Sequence, residues 1–97
     1  MKKIVILKET AKEDLLQIND YIAKDSIFYA NRTIENIHLR INNLVMFPEL
    51  GKEVQINKQN VRQLIYKSYK IFYQFNSKDI YVLRVIHHSR DIYSLKI

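Results

Sequence analysis

The stretch VLRVIHHSRD, Val82 to Asp91, gathers the side chains of this chain best suited to chemistry. Two histidines stand side by side, with an arginine before them and an arginine–aspartate pair after. Imidazole moves protons near neutral pH, and guanidinium holds phosphate. One reading is a site that works on nucleic acid. The other is the end of a buried strand with polar residues at its tip. Strict alternation places Tyr81, Leu83, Val85 and His87 on one face, and Val82, Arg84, Ile86 and His88 on the other. The adjacent histidines then cannot share a ligand, and no third ligand stands nearby, so a metal site is not expected. His87 reads as a core-edge histidine with one nitrogen hydrogen-bonded. Arg84, set among apolar residues, needs a carboxylate or carbonyl partner. Arg62 reads as the same kind of residue, and Arg90 and Asp91 as a local pair after the strand.

The elements that position these residues follow from periodicity. KIVILK, Lys3 to Lys8, is short, β-branched and apolar, which suits a strand buried on both faces. Thr10 and Glu13 have the spacing of a capping box, and Ala11, Leu15, Ile18 and Ile22 recur at helical intervals. That helix should end near Lys24. Ser26 is a second N-cap, followed by the stripe Ala30, Ile34, Ile37, Ile41 and Leu44. Two amphipathic helices with almost nothing between them form an antiparallel hairpin. Pro48 and Gly51 in MFPELGK end the helical region. EVQI, VRQLIYK, YKIFYQF and IYVLRVIHH then read as strands, with NSKD, Asn76 to Asp79, as a tight turn. The expected fold class is α+β, with the hairpin packed on one face of a twisted, largely antiparallel sheet. Tyr69, Tyr73 and Tyr81 read as core tyrosines, Tyr66 and Tyr93 as freer ones, and His38 as a helix-flank residue. Lys58, Lys67, Lys70 and Lys78 read as solvated.

Composition bounds the rest. The 97 residues suit one domain, 1–97, and 47% are hydrophobic, which excludes a disordered chain. No cysteine is present, which removes disulfides, thiolate nucleophiles and cysteine-ligated zinc. Together with the lack of a leader-like or membrane-length apolar run, this leads to the expectation of a cytoplasmic protein. The net charge of +6 favours an anionic partner or serves solubility.

The order of elements, the phrase FPELGK, and VRQL, YKIFYQF and VLRVIHHSRD together resemble the RelE/ParE superfamily of prokaryotic type II toxins. The likeness covers essentially the whole chain. It implies a growth-inhibiting toxin in a heteromeric complex with a cognate antitoxin, needing no cofactor or metal. RelE-like members are metal-independent endonucleases (mRNA interferases) that cut messenger RNA on the ribosome. ParE-like members poison DNA gyrase and have no known nuclease chemistry, so whether this chain is an enzyme turns on the subgroup. A nuclease would draw on Lys70, which follows Tyr69 where RelE-like members carry an arginine, and on His87, His88, Arg90 and Tyr93. Val61 and Gln63 stand where the ribosome-dependent nucleases present lysines. Arg62 with Leu64, Tyr69 with Ile71 and Tyr73, and Arg84, Val85, His87, Arg90 and Asp91 match the ParE-like pattern, so a gyrase inhibitor is favoured. Partner contacts are expected at Arg62, Arg84, Arg90 and Tyr66. A degenerate toxin that keeps only antitoxin binding is the third possibility.

Overall fold

The computed structural model describes residues 2–95 and 97, and the side chain of Tyr93 lies outside the described residues. Strand β1 (Ile4–Leu7) leads into helices α1 (Glu9–Ala23) and α2 (Ile27–Asn42), and a 3₁₀ turn, Asn43–Val45, follows. Strands β2 (Lys52–Ile56), β3 (Gln59–Tyr66), β4 (Tyr69–Phe75) and β5 (Asp79–His87) come next, then a second 3₁₀ turn, Ile92–Ser94. The sheet order is β1-β5-β4-β3-β2. Neighbours are antiparallel except β1 and β5, which run parallel. The sheet is therefore mixed but largely antiparallel, with the helical hairpin on one face.

Each face of the sheet carries its own apolar cluster. Beneath the helices, Ala11, Leu15, Ile37, Ile41 and Leu44 meet Leu64, Ile71, Val82 and Val85. On the back face, Ile56, Val61, Phe72, Leu83 and Ile86 are closed over by Leu95, with Ile92 and Ile97 beside it. The α2 stripe is seated as its periodicity requires. Ser26 caps this helix by accepting the Tyr29 amide at 3.1 Å. The Asn76 carboxamide accepts the amides of Lys78 and Asp79, both at 2.8 Å, and so makes the β4–β5 turn. Asn57 and Lys58, with φ of 52° and 67°, make the two-residue turn between β2 and β3. Positive φ at both positions matches the twist of the strands it joins.

The phrase FPELGK is held by two strand residues that face each other in register, Arg62 and Tyr73. The Tyr73 hydroxyl donates to the Pro48 carbonyl at 2.7 Å and accepts the Gly51 amide at 2.8 Å. Arg62 donates to the carbonyls of Glu49 and Gly51 and to the Glu53 carboxylate, at 3.2, 2.7 and 2.9 Å. A Cβ on Gly51 would stand 2.7 Å from the Tyr73 ring, so this loop can close only around glycine.

Three local expectations are corrected. Strand β1 is not buried on both faces: Ile4 is 65% and Ile6 39% exposed. It is an edge strand, and the segment that closes the back face packs on strands further into the sheet. The Thr10–Glu13 capping box does not form. Lys8 occupies the cap of α1 without a side-chain bond, and the Thr10 hydroxyl donates instead to the Leu83 carbonyl at 2.8 Å. Strict alternation also fails in β5. Phe72 pairs with Arg84, but Tyr73 pairs with Val82, so Leu83 is an extra residue. This β-bulge puts Val82 and Val85 together under the helices, and Leu83 with Ile86 on the back face.

Asp14 fixes the bulge to α1. Its carboxylate accepts Arg84 Nε at 2.7 Å, Arg84 Nη2 at 2.9 Å and the Val85 amide at 3.0 Å. Asp14 is 6% exposed, and so is well shielded from solvent. The pairing raises the Arg84 pKa, chiefly through the hydrogen bond to Asp14 and against the opposing effect of burial. This is the carboxylate partner that Arg84 requires.

Asp14→Ala leaves a buried guanidinium and a strand amide unpaired, and should cost about 3–5 kcal/mol of stability. Ile41→Ala, in the α2 stripe, should cost about 2–5 kcal/mol. Urea unfolding measures both. A cost below about 1 kcal/mol for Asp14→Ala would show that the pair does not hold α1 to β5.

Candidate functional site

Between α1 and the end of β5 lies a cleft of ≈ 400 Å³. Its α1 wall carries Asp14, Gln17, Ile18 and Tyr21, and the opposite wall carries Tyr69, Val85, His87 and Arg90. Tyr21 is 72% exposed, although it stands beside a helix stripe that is otherwise turned inward. The Tyr69 hydroxyl is pushed above the ordinary tyrosine range, first by burial and then by the nearby Tyr29 and Tyr21. The cleft therefore offers an apolar, aromatic floor and walls, one amide, and an exposed guanidinium at its mouth.

His87 is opposite Tyr69 in register and meets that ring edge-on, with centroids 5.7 Å apart. Its Nδ1 accepts the Ser89 amide at 3.2 Å and lies 2.8 Å from the Ser89 hydroxyl. An amide nitrogen can only donate, so the neutral ring carries its proton on Nε2. One nitrogen is hydrogen-bonded, as the sequence suggests, and the other presents a donor to the surface. His88 is not turned to the opposite side from His87. The strand stops at His87, and the two rings stand 4.5 Å apart, tilted by 32°.

The remaining candidates are dispersed. Lys70 pairs with Ile86, and both project to the back face, across the sheet from His87. Val61 is sealed in the back cluster, so its position presents no cation. Arg62 and Arg84 are bound within the fold. Tyr66 is half-buried against the core, in a second depression with Leu39, Arg40 and Met46. The Tyr81 hydroxyl donates to Asp79 at 3.0 Å, and its ring packs against the back cluster. Arg90 is exposed, and its guanidinium bonds to no described residue. Tyr93 cannot be placed in either group, because its side chain lies outside the described residues.

His87 and Arg90, singled out in the sequence, line this cleft, whereas Tyr21, Gln17 and Ile18 of the facing wall were not expected there. Tyr21 was detectable as an aromatic residue one step off the Ile18–Ile22 stripe.

Residues 5–92 match the model of a family described as the ParE toxin of the type II toxin-antitoxin system, parDE. The fold is similar to a solved structure titled as a chromosomal ParDE TA system from P. aeruginosa, with a TM-score of 0.74 and 19% identity. That match covers 89% of this chain and 96% of the other. A structure titled as the toxin-antitoxin complex RelBE2 from Mycobacterium tuberculosis is similar with a TM-score of 0.60 and 19% identity, over 90% of this chain and 99% of the other. No curated protein matches the chain by sequence.

Burial also pushes the Tyr73 hydroxyl above its ordinary range, against lowering by the Gly51 amide and Arg62. The folded state therefore holds the protons of Tyr69 and Tyr73 at pH values where the unfolded state releases them. Their contribution is complete below the unfolded pKa of about 10 and is lost as pH rises through the folded values. The melting temperature should fall above pH about 10, and less steeply in Tyr69→Phe. Nitrogen NMR of the imidazoles should show His87 Nδ1 unprotonated in the neutral ring. A proton on Nδ1 would contradict the Ser89 contact.

Proposed function

We propose that this chain, which belongs to the ParE toxin family of type II toxin–antitoxin systems, arrests growth by binding DNA gyrase rather than by cutting RNA. One observation carries the choice: Lys70 and His87 lie on opposite faces of the sheet. Metal-free RNA cleavage needs a base for the 2′-hydroxyl, an acid for the leaving oxygen, and cations around a single phosphate. Arg84 is locked to Asp14 and Val61 is sealed in the core, so neither adds to such a group. The same residues suit a surface that binds protein. Arg62 and Arg84 are bound inside the fold, while Arg90 and Tyr66 line two separate depressions open to a partner. The partner that silences the toxin is a cognate antitoxin, and the setting is the cytoplasm.

A ribosome-dependent mRNA endonuclease is the second reading. The side-by-side histidine rings are the observation in its favour.

Purified protein in excess should inhibit gyrase supercoiling or trap cleaved DNA. Normal supercoiling would remove the gyrase reading. Codon-positioned cuts in primer extension after brief induction would then establish the nuclease. Soluble protein that causes no growth defect would mark a toxin reduced to antitoxin binding.

A further inference from the structure

Helix α2 and the turn after it carry two apolar sets. One is the stripe seated on the sheet. The other faces solvent: Leu39, Met46 and Phe47 are each more than half exposed. Leu39 lies two residues from both Ile37 and Ile41, which turns it to the opposite side of the helix from them. It stands seven residues before Met46, so the two share a side and lie about 10 Å apart. The 3₁₀ turn keeps this course as far as Phe47, whose amide bonds to the Asn43 carbonyl at 3.0 Å. None of the three belongs to either apolar cluster, so the packed core does not account for their apolar character.

Leu39 and Met46 line a depression of ≈ 610 Å³ together with Tyr66, Arg40 and Lys2. It shares no residue with the α1–β5 cleft. Lys67 stands over the Tyr66 ring, its ammonium 5.7 Å from the ring centre. Three cations thus accompany an apolar centre, and among the described residues no acidic side chain lines the depression. The α1–β5 cleft differs in this respect, since Asp14 lines it. An exposed apolar patch rimmed by polar groups has the form of a protein-binding surface. The sign of the rim selects the occupant. A second copy of this chain would bring the same cations face to face. A nucleic-acid backbone would engage the cations and leave Leu39 and Met46 uncovered. An acidic protein surface with apolar side chains among its carboxylates meets both parts.

We propose that the face of α2 around Leu39 and Met46 is where the toxin docks on its protein target, which presents an acidic surface with an apolar centre there. Leu39 and Met46 anchor the contact, and Lys2, Arg40 and Lys67 steer the approach. The proposal rests on the reading of a gyrase-binding toxin and places that contact away from the α1–β5 cleft.

Gyrase supercoiling titrated with the purified chain tests the face. Leu39→Asp and Met46→Asp, exposed changes outside both apolar clusters, should each raise the half-inhibiting concentration about tenfold or more. Leu16→Asp changes a similarly exposed leucine on α1 and should raise it less than about twofold. Lys2→Glu should raise it several-fold at low salt and little at high salt. Circular dichroism melts should be unchanged in all four variants. Folded Leu39→Asp and Met46→Asp proteins that inhibit as well as the wild type would overturn the proposal. A dimer in sedimentation that both changes dissolve would also overturn it, because the occupant would be a second copy. Retention of a DNA duplex without gyrase, lost in Lys2→Glu, would do the same in favour of a nucleic-acid site. A wild type with no effect on supercoiling removes the gyrase reading, and growth arrest on induction then decides the face. Arrest abolished by both aspartate changes keeps the face for another acidic target, whereas arrest that survives them removes it. A wild type that causes no arrest removes the target and the face together.

Discussion

The Asp14 carboxylate ties α1 to β5 at the bulge. It meets two nitrogens of Arg84 and the amide of Val85 from a position nearly closed to solvent. A carboxylate desolvated to this degree is tolerated only because both of its oxygens are engaged, one of them twice. The contact joins α1 to β5 at the point where β1 can no longer pair with it. Four residues of β1 pair with β5, and beyond them Thr10 and Asp14 of α1 meet the Leu83 carbonyl and the Val85 amide. Asp14 also lines the cleft between α1 and β5, so the anchor stands in its wall.

A similar economy holds the other side of the sheet. Tyr73 and Arg62 reach the Pro48–Gly51 loop with four hydrogen bonds, all to its backbone. In each case an arginine that looks like a hook for a ligand is bound inside the fold. A chain with a net charge of +6 therefore presents fewer organised cations than its composition suggests. Phosphate chemistry needs cations held in place, not merely present. That distinction, rather than total charge, separates a surface that catalyses from one that binds.

Periodicity disclosed the helical hairpin, the Ser26 cap, the strand sequence and the α2 stripe, because each of these depends on neighbours within a few residues. The misreadings share one cause. Thr10 has a capping spacing, but its hydroxyl answers a carbonyl on β5, 73 residues away. The apolar run of β1 looks like an interior strand, but topology places it at an edge. The bulge in β5 leaves no mark in VLRVIHH itself. Asp14 was the clearest missed signal. It stands three residues after Ala11 and four before Ile18, on the apolar stripe of α1, where a charge is stable only with a partner across the core. Of the cleft, the β5 side was legible and the α1 side was not, since Gln17 and Tyr21 acquire meaning only when the helix is docked.

The bulge decides which chemistry is within reach. Side-chain direction in a strand reverses with every one-residue change of register. Without the extra residue at Leu83, Val82 beneath the helices would put His87 on the back face, together with Lys70. A base and a cation would then share a surface, as RNA cleavage requires. With the bulge, His87 turns toward Tyr69 and α1, and Lys70 stays behind. Asp14 supports that bulge by bonding the Val85 amide. The interaction that docks the first helix thus also withholds the histidine from the lysine. The cost of losing that carboxylate, in a fold of this size, is a large part of the total stability. A return to the regular strand would break the anchor of α1, so the same contact keeps His87 and Lys70 on opposite faces of the sheet.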